Sequence, residues 1–358
     1  LVTLDEENRF IENGSVYIED HEIVDAGDFR PDRYTADRTI DAQGNLVMPG
    51  LINAHHHLYS TFARGFTPPG DPPRNFEEIL SKLWWKLDRA LDHEDVYHSA
   101  LLALMHAARA GCTTVIDHHA SPSCRDGSLD QVERAFRDVG LSGCLCYEVS
   151  DRNVEGEGIE ENERYIRKCR DADDGQMAAM FGLHALMTLG TRTLQRSADI
   201  AHALDAGFHV HAAEDEADVR ITMERYGRRL MDRFLDFGIP GPKTIFVHGV
   251  HFEPREMDLM RSTDSMLVNN PESNMNNGLG VSPILELLQH GVTVGVGTDG
   301  MSSHMISQAR AMYLHQRTEH RDPTLAFAEA CEILLGNNRD ICNRLFREPR
   351  GALAPGQL

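Results

Sequence analysis

Lysine is nearly absent from this chain of 358 residues, occurring only at positions 82, 86, 168 and 243. Positive charge as a whole is scarce: 35 Lys plus Arg face 56 Asp plus Glu, a formal charge of −21. Such a surface repels phosphate backbones and anionic headgroups, so neither nucleic acid nor a membrane is expected as a partner. No run of about 18 apolar residues is present to span a bilayer, and the first residues lack the basic-then-apolar signature of a signal peptide. No CxxC occurs among the seven cysteines, at 112, 124, 144, 146, 169, 331 and 342. Their odd number in a long chain reads as reduced thiols and a cytoplasmic setting. No Walker loop is present and no GxGxxG begins after a strand-like run, so nothing supports a nucleotide-binding α/β fold. What is present is an ordinary globular composition, 41% hydrophobic and 25% charged, too apolar for a disordered chain. The length suits two or three domains or one large barrel with an appendage.

Residues 1–48 carry short alternating stretches, Ser15 to Glu19 and Glu22 to Ala26, separated by Asn13-Gly14 and Asp20-His21 in the manner of β-hairpins. They predict a small antiparallel unit. From there the pattern changes to apolar runs at 51–55, 113–118, 143–149, 178–184, 207–212, 244–249, 265–269 and 292–298. Amphipathic stretches lie between them, at 83–110, 129–139, 194–206, 218–235 and 283–290. Eight strands alternating with helices predict a parallel (β/α)8 barrel of the TIM type over 49–350, with its reactive side chains at the C-terminal ends of the strands. A doubly wound open sheet alternates in the same way, so the polar residues must decide.

Four strand ends carry metal-type ligands: His55-His56-His57, His209-Val210-His211 with Glu214 just beyond, His248, and Asp299. Residues i and i+2 of a strand share a face, so His55 and His57 can aim at one ion while His56 points away. His55, His57, His211 and Asp299 supply borderline donors suited to one divalent ion, Zn²⁺ first, with Fe²⁺ or Mn²⁺ as alternatives. One histidine at a strand rim is ordinarily a hydrogen-bonded core residue. Several at the same rim of separated strands make a metal centre.

The run Met48-Pro49-Gly50-Leu51-Ile52-Asn53-Ala54-His55-His56-His57 resembles the PGxxxxHxH start of the amidohydrolase superfamily. HAAE at 211–214, VHG at 247–249 and GTDG at 297–300 resemble its cytosine-deaminase-like branch, which includes guanine, S-adenosylhomocysteine and chlorotriazine hydrolases. The segments Leu83 to Asp92, Val115 to Pro122 and Ser273 to Asn277 are most similar to aminohydrolases of the SsnA type. The resemblance implies a barrel joined by a small β-sandwich, to which 1–48 would contribute the N-terminal part. Residues 351–358 resemble the lead-in to its C-terminal half, which lies outside this chain. A start at Leu1 and an end at Gly356-Gln357-Leu358 read as those of a piece of a longer chain.

The same resemblance makes Glu214 a proton shuttle and His248 the residue that holds the attacking water or the substrate oxygen, with Asp299 assisting catalysis as well as ligation. Binuclear relatives carry a bridging Lys or Glu at the end of strand four, where this chain has His184, so one ion is expected. Substrate contacts are expected from His184, Asp88, His119 and Asn274. Each has a plainer reading as a rim imidazole, a solvated helix carboxylate, a histidine packed behind its strand, or a turn amide. Trp84 and Trp85 read as core.

The expected activity is metal-dependent hydrolysis of a carbon–nitrogen bond other than a peptide bond. It would deaminate, or open the ring of, a small purine- or pyrimidine-like heterocycle, in a monomer or a homo-oligomer. A metal phosphoesterase or nuclease is the alternative enzyme, weakened by the charge and the missing bridging residue. A non-catalytic metal-binding protein is the third reading, which would leave Glu214 and His248 without purpose.

Overall fold

In the computed structural model, which describes residues 1–67, 69–172 and 174–358, β1 (Gly14–Glu19) and β2 (Glu22–Asp28) pair as an antiparallel hairpin. The end of the chain lies against it. Ile23 N–H donates to Gln357 O and Gly356 N–H to Ile23 O, each at 2.9 Å, while Leu353 packs with Ile23 and Ala26.

The later apolar runs become strands because both of their faces are covered, as parallel sheets require. They are β3 (Leu51–His56), β4 (Cys112–His119), β5 (Ser142–Tyr147), β6 (Met177–Ala179), β7 (Phe181–Leu183), β8 (Phe208–Ala212), β9 (Ile245–His248), β10 (Met266–Asn269) and β11 (Thr293–Val296). Two parallel arcs result, β3-β4-β5-β6 and β7-β8-β9-β10-β11. Only Met180 separates β6 from β7, and its N–H still donates to Leu145 O at 3.0 Å, so the two segments act as one strand. At the other seam, Thr298 and Asp299 N–H donate to His55 O at 3.0 and 3.1 Å. Gly297 makes this approach possible: a Cβ there would lie 2.7 Å from His55 N and O. The eight strand positions thus form a (β/α)8 barrel.

Strand parity sets what faces where. Val115, Leu145, Val210, Phe246 and Leu267 pack outward in one buried cluster with Leu104, Phe136, Leu194 and Phe234 of the surrounding helices. The alternate residues Ile116, Cys144, Cys146, Ile245, Val247, Met266 and Val268 cluster inside. The inward parity also holds His118, His209 and His211.

Two helical expectations need correction. The stretch 83–110 is not one helix: Trp85–Ala90 ends at Leu91, whose ψ of 139° is extended, and His93–Arg109 starts anew under a capping box of Asp92 and Asp95. Similarly, 218–235 divides at Gly227, whose φ of 62° ends Glu216–Tyr226 before Leu230–Asp236 begins. Apolar periodicity continues through both breaks, which is why it does not reveal them. No helix among the described residues is long and apolar enough to cross a membrane.

Candidate metal centre and active site

His57, His211 and His248 are anchored in the same way. His57 Nδ1–H donates to His118 O at 2.6 Å, His211 Nδ1–H to His184 O at 3.0 Å, and His248 Nδ1–H to Asn274 Oδ1 at 2.8 Å. These oxygens only accept, so the proton sits on Nδ1 and each Nε2 is left toward the centre. His55 uses its Nδ1 on His209 Nε2 at 2.9 Å, and its own Nε2 is buried without a hydrogen-bond partner among the described residues. His57 Nε2 lies 3.1 Å from His211 Nε2 and 3.2 Å from Asp299 Oδ1. Burial holds His55, His118 and His211 well below the usual imidazole range.

Ligand-type atoms lie within 4.8 Å of one another in four overlapping groups: His55, His211 and His248; His57, His118 and His211; His55, His57 and Asp299; and Glu214, His248 and Asp299. Converging imidazole nitrogens, an unpartnered buried Nε2 and one carboxylate fit a divalent transition metal by their chemistry. His56 points elsewhere, as expected, with Nε2 3.2 Å from Ser303 Oγ.

Asp299 accepts from Ser273 Oγ–H at 2.5 Å and Gly300 N–H at 2.7 Å. Burial alone would raise its carboxyl, but His55, His57 and His248 hold it well below the usual carboxylate range. Glu214 behaves oppositely: burial first, then Asp299, Asp218, Asp215 and Glu148, push it well above the carboxylate range. Its Oε2 lies 3.5 Å from His248 Nε2. Ala213, His248 and Asp299 all have positive φ, at 53°, 75° and 53°. Non-glycine residues occupy that region at a cost, which is commonly concentrated at functional sites. Asp218 holds one of these turns by accepting from Ala213 N–H at 3.2 Å and Met187 N–H at 3.0 Å.

The centre opens into a cleft that His57, His211, Glu214, His248 and Asp299 line together. His184 lines it, with Nδ1 2.6 Å from Thr188 Oγ1. Asp88 also lines it and is 1% exposed, so the solvated helix carboxylate is corrected. It accepts from Arg152 at 2.9 Å, and Arg152 also donates to Glu148 at 2.8 Å. Burial raises Asp88 to about 6 despite Arg152. His119 stands outside the lining: it packs against Tyr59 and Tyr147 and bonds Ser121 Oγ at 2.8 Å. Asn274 is outside it too, holding His248, while Ser273 and Asn277 of the same helix reach the cleft. Trp84 and Trp85 line the cleft as well as packing, a second correction. Sequence reasoning missed Glu148 and Arg152. Their signal was a glutamate at the end of an apolar run, with an arginine four residues on. His118 Nε2 lies 3.1 and 3.2 Å from Leu183 O and His209 O, and its ring joins the histidine cluster.

Imidazole donors and a carboxylate at the C-terminal rim of a parallel barrel, beside the carboxyl of Glu214, define a metal-dependent hydrolase. Residues 46–332 match the Amidohydrolase family; the chain belongs to that family and is a metal-dependent hydrolase acting on carbon–nitrogen bonds other than peptide bonds. It is 32% identical over 354 residues, 97% of this chain and 79% of the relative, to a 5-methylthioadenosine/S-adenosylhomocysteine deaminase of Desulfitobacterium hafniense. It is 32% identical over 307 residues, 85% of this chain and 68% of the relative, to a 5'-deoxyadenosine deaminase of Methanosarcina acetivorans. Its fold is that of a zinc-bound adenosine deaminase from Xanthomonas campestris, with a TM-score of 0.86 at 21% identity over 99% of this chain and 81% of that one. The zinc-complexed atrazine chlorohydrolase of Arthrobacter aurescens gives 0.85 at 20% identity over 99% and 83%.

Proposed function

We propose that this amidohydrolase deaminates the 6-aminopurine ring of an adenosine-type nucleoside. The reading is carried by Glu214, a carboxyl 3.5 Å from His248 Nε2 and grouped with His248 and Asp299 at the mouth of the histidine cluster, together with the adenosine-derivative deaminases among its relatives.

His55, His57, His211 and Asp299 would hold one divalent ion, zinc first. When bound, such an ion supplies Lewis-acid activation of water near neutral pH. Glu214 takes a proton from the attacking water and delivers it to the amino nitrogen as the C–N bond breaks and ammonia leaves. His248 Nε2, which carries no hydrogen while Nδ1–H donates to Asn274 Oδ1, accepts from the attacking water's O–H and orients it toward the ring carbon. His184, Trp84 and Trp85 pack the planar substrate, and the Asp88–Arg152–Glu148 group forms the polar end of the cleft. These carboxylates suit hydroxyls rather than phosphate.

The test is ammonia release by zinc-loaded protein from a panel of adenosine derivatives, guanine, cytosine and a triazine, with a generic phosphodiester alongside. Deamination of an adenosine derivative supports the proposal. Phosphodiester cleavage without action on any heterocycle, lost in His248→Ala, overturns it in favour of phosphoryl chemistry.

A further inference from the structure

His209 belongs to the HxH pair of β8 but is not one of the proposed ligands. It sits at full burial between two groups: its Nε2 is 2.9 Å from His55 Nδ1 and its Nδ1 is 3.7 Å from Cys146 Sγ. We infer that His209, steered by Cys146, is a positioning residue that fixes the tautomer of the metal ligand His55. The inference rests on the metal reading proposed above.

The proton assignments follow from the ends of the chain of contacts. His55 Nε2 is the atom that faces the centre, 3.7 Å from Asp299 Oδ1 and without a hydrogen-bond partner among the described residues. For Nε2 to carry a lone pair in a neutral ring, the hydrogen must be on Nδ1. Nδ1–H then has to find an acceptor, as it does in His57, His211 and His248. Those three use backbone carbonyls or an amide oxygen, groups that can only accept. His55 alone faces another imidazole, which could donate instead. If His209 donated, His55 would carry its hydrogen on Nε2 and lose the lone pair a metal needs.

Cys146 resolves the ambiguity. Its S–H has an acceptor in Asp117 O at 3.5 Å, which leaves the sulfur lone pairs facing His209 Nδ1. His209 therefore donates Nδ1–H to sulfur and accepts at Nε2. The sequence His55 Nδ1–H to His209 Nε2, His209 Nδ1–H to Cys146 Sγ, and Cys146 S–H to Asp117 O satisfies every donor along it in one direction only. Partners of this kind orient ligands and typically change metal affinity by about 10–100-fold when removed.

The experiment compares His209→Gln with His209→Asn by chelator competition for zinc in folded protein, folding being checked by near-ultraviolet circular dichroism. Both introduce a neutral amide, but only Gln carries its oxygen out to the position of Nε2. His209→Gln should keep zinc affinity within a few-fold of the parent and His209→Asn should lose about 10–100-fold. Equal affinity in both variants overturns the inference. Should either variant not fold, ring nitrogen–proton correlation spectra of the parent read the tautomer directly: His209 hydrogen on Nδ1 supports the inference, and hydrogen on Nε2 overturns it. A parent that binds zinc and deaminates while the variants match it removes only the role of His209. A parent that binds no zinc removes the metal reading itself.

Discussion

His57 and His211 face each other through Nε2 atoms 3.1 Å apart, although the Nδ1–H of each is already committed to a backbone carbonyl, that of His118 and that of His184. Two neutral imidazoles arranged so would point lone pairs at each other, which is repulsive. Only a cation between them, a proton or a metal ion, makes the arrangement attractive. Asp299 Oδ1, 3.2 Å from His57 Nε2, completes the demand for positive charge.

The first prediction follows from that competition between proton and metal. His211→Ala removes one nitrogen donor and should lower zinc affinity, with parent and variant both binding more weakly as pH falls, because imidazole must be neutral to ligate. Elemental analysis after dialysis at several pH values measures it. Unchanged metal content would remove His211 from the ligand set, and two tightly held equivalents in the parent would replace the single-ion reading.

Glu214→Gln keeps the size and hydrogen-bonding shape of the side chain but cannot carry the proton. Zinc content should stay at the parent level while turnover falls by roughly 10²–10⁴-fold, the usual worth of general acid–base catalysis. Near-normal kcat would assign the proton transfer elsewhere.

Asp218 gives stability a pH dependence. Burial raises its carboxyl from 3.8 to about 7 in the fold, against the N–H groups of Met187 and Ala213. The folded chain therefore binds this proton more tightly than the unfolded one. Its contribution is fully present below 3.8 and is lost as pH rises toward about 7. Asp218→Asn should flatten the fall in Tm across that range. A slope identical to the parent's would show that Asp218 titrates normally.

Arg152 stands between two carboxylates, with side-chain exposures of 8% for Arg152, 2% for Asp88 and 5% for Glu148. Arg152→Met leaves two like charges buried together and should cost about 3–5 kcal/mol at neutral pH, as loss of one member of a buried ion pair does. The cost should shrink in acid, since Asp88 gains a proton near 6. Urea unfolding at two pH values measures both. A variant as stable as the parent would mean that solvent screens the group.

The linear chain determined the barrel and the outline of its metal centre, because both are written in local periodicity: apolar runs separated by helical stretches, and His, Glu or Asp at the ends of those runs. Strand alternation put His55 and His57 on one face and His56 on the other, but with Ile52 and Ala54 packed inside it took the irregular pairing with β4 between Asn53 and His56 to make the face of His55 and His57 the inner one. The helix breaks at Leu91 and Gly227 escaped, since apolar spacing runs through them and only caps and a left-handed residue end the helices. Tertiary structure alone decided which atom of each imidazole faces the centre, because that depends on an acceptor supplied from elsewhere, such as His118 O for His57 and Asn274 Oδ1 for His248. It also turned Asp88 from a surface carboxylate into a buried partner of Arg152, 64 residues away, and gave His209 a partner in Cys146, 63 residues away. Such pairings exist only once the barrel closes and brings strands distant in sequence to the same depth, where burial strips water from polar atoms and obliges each to find a partner.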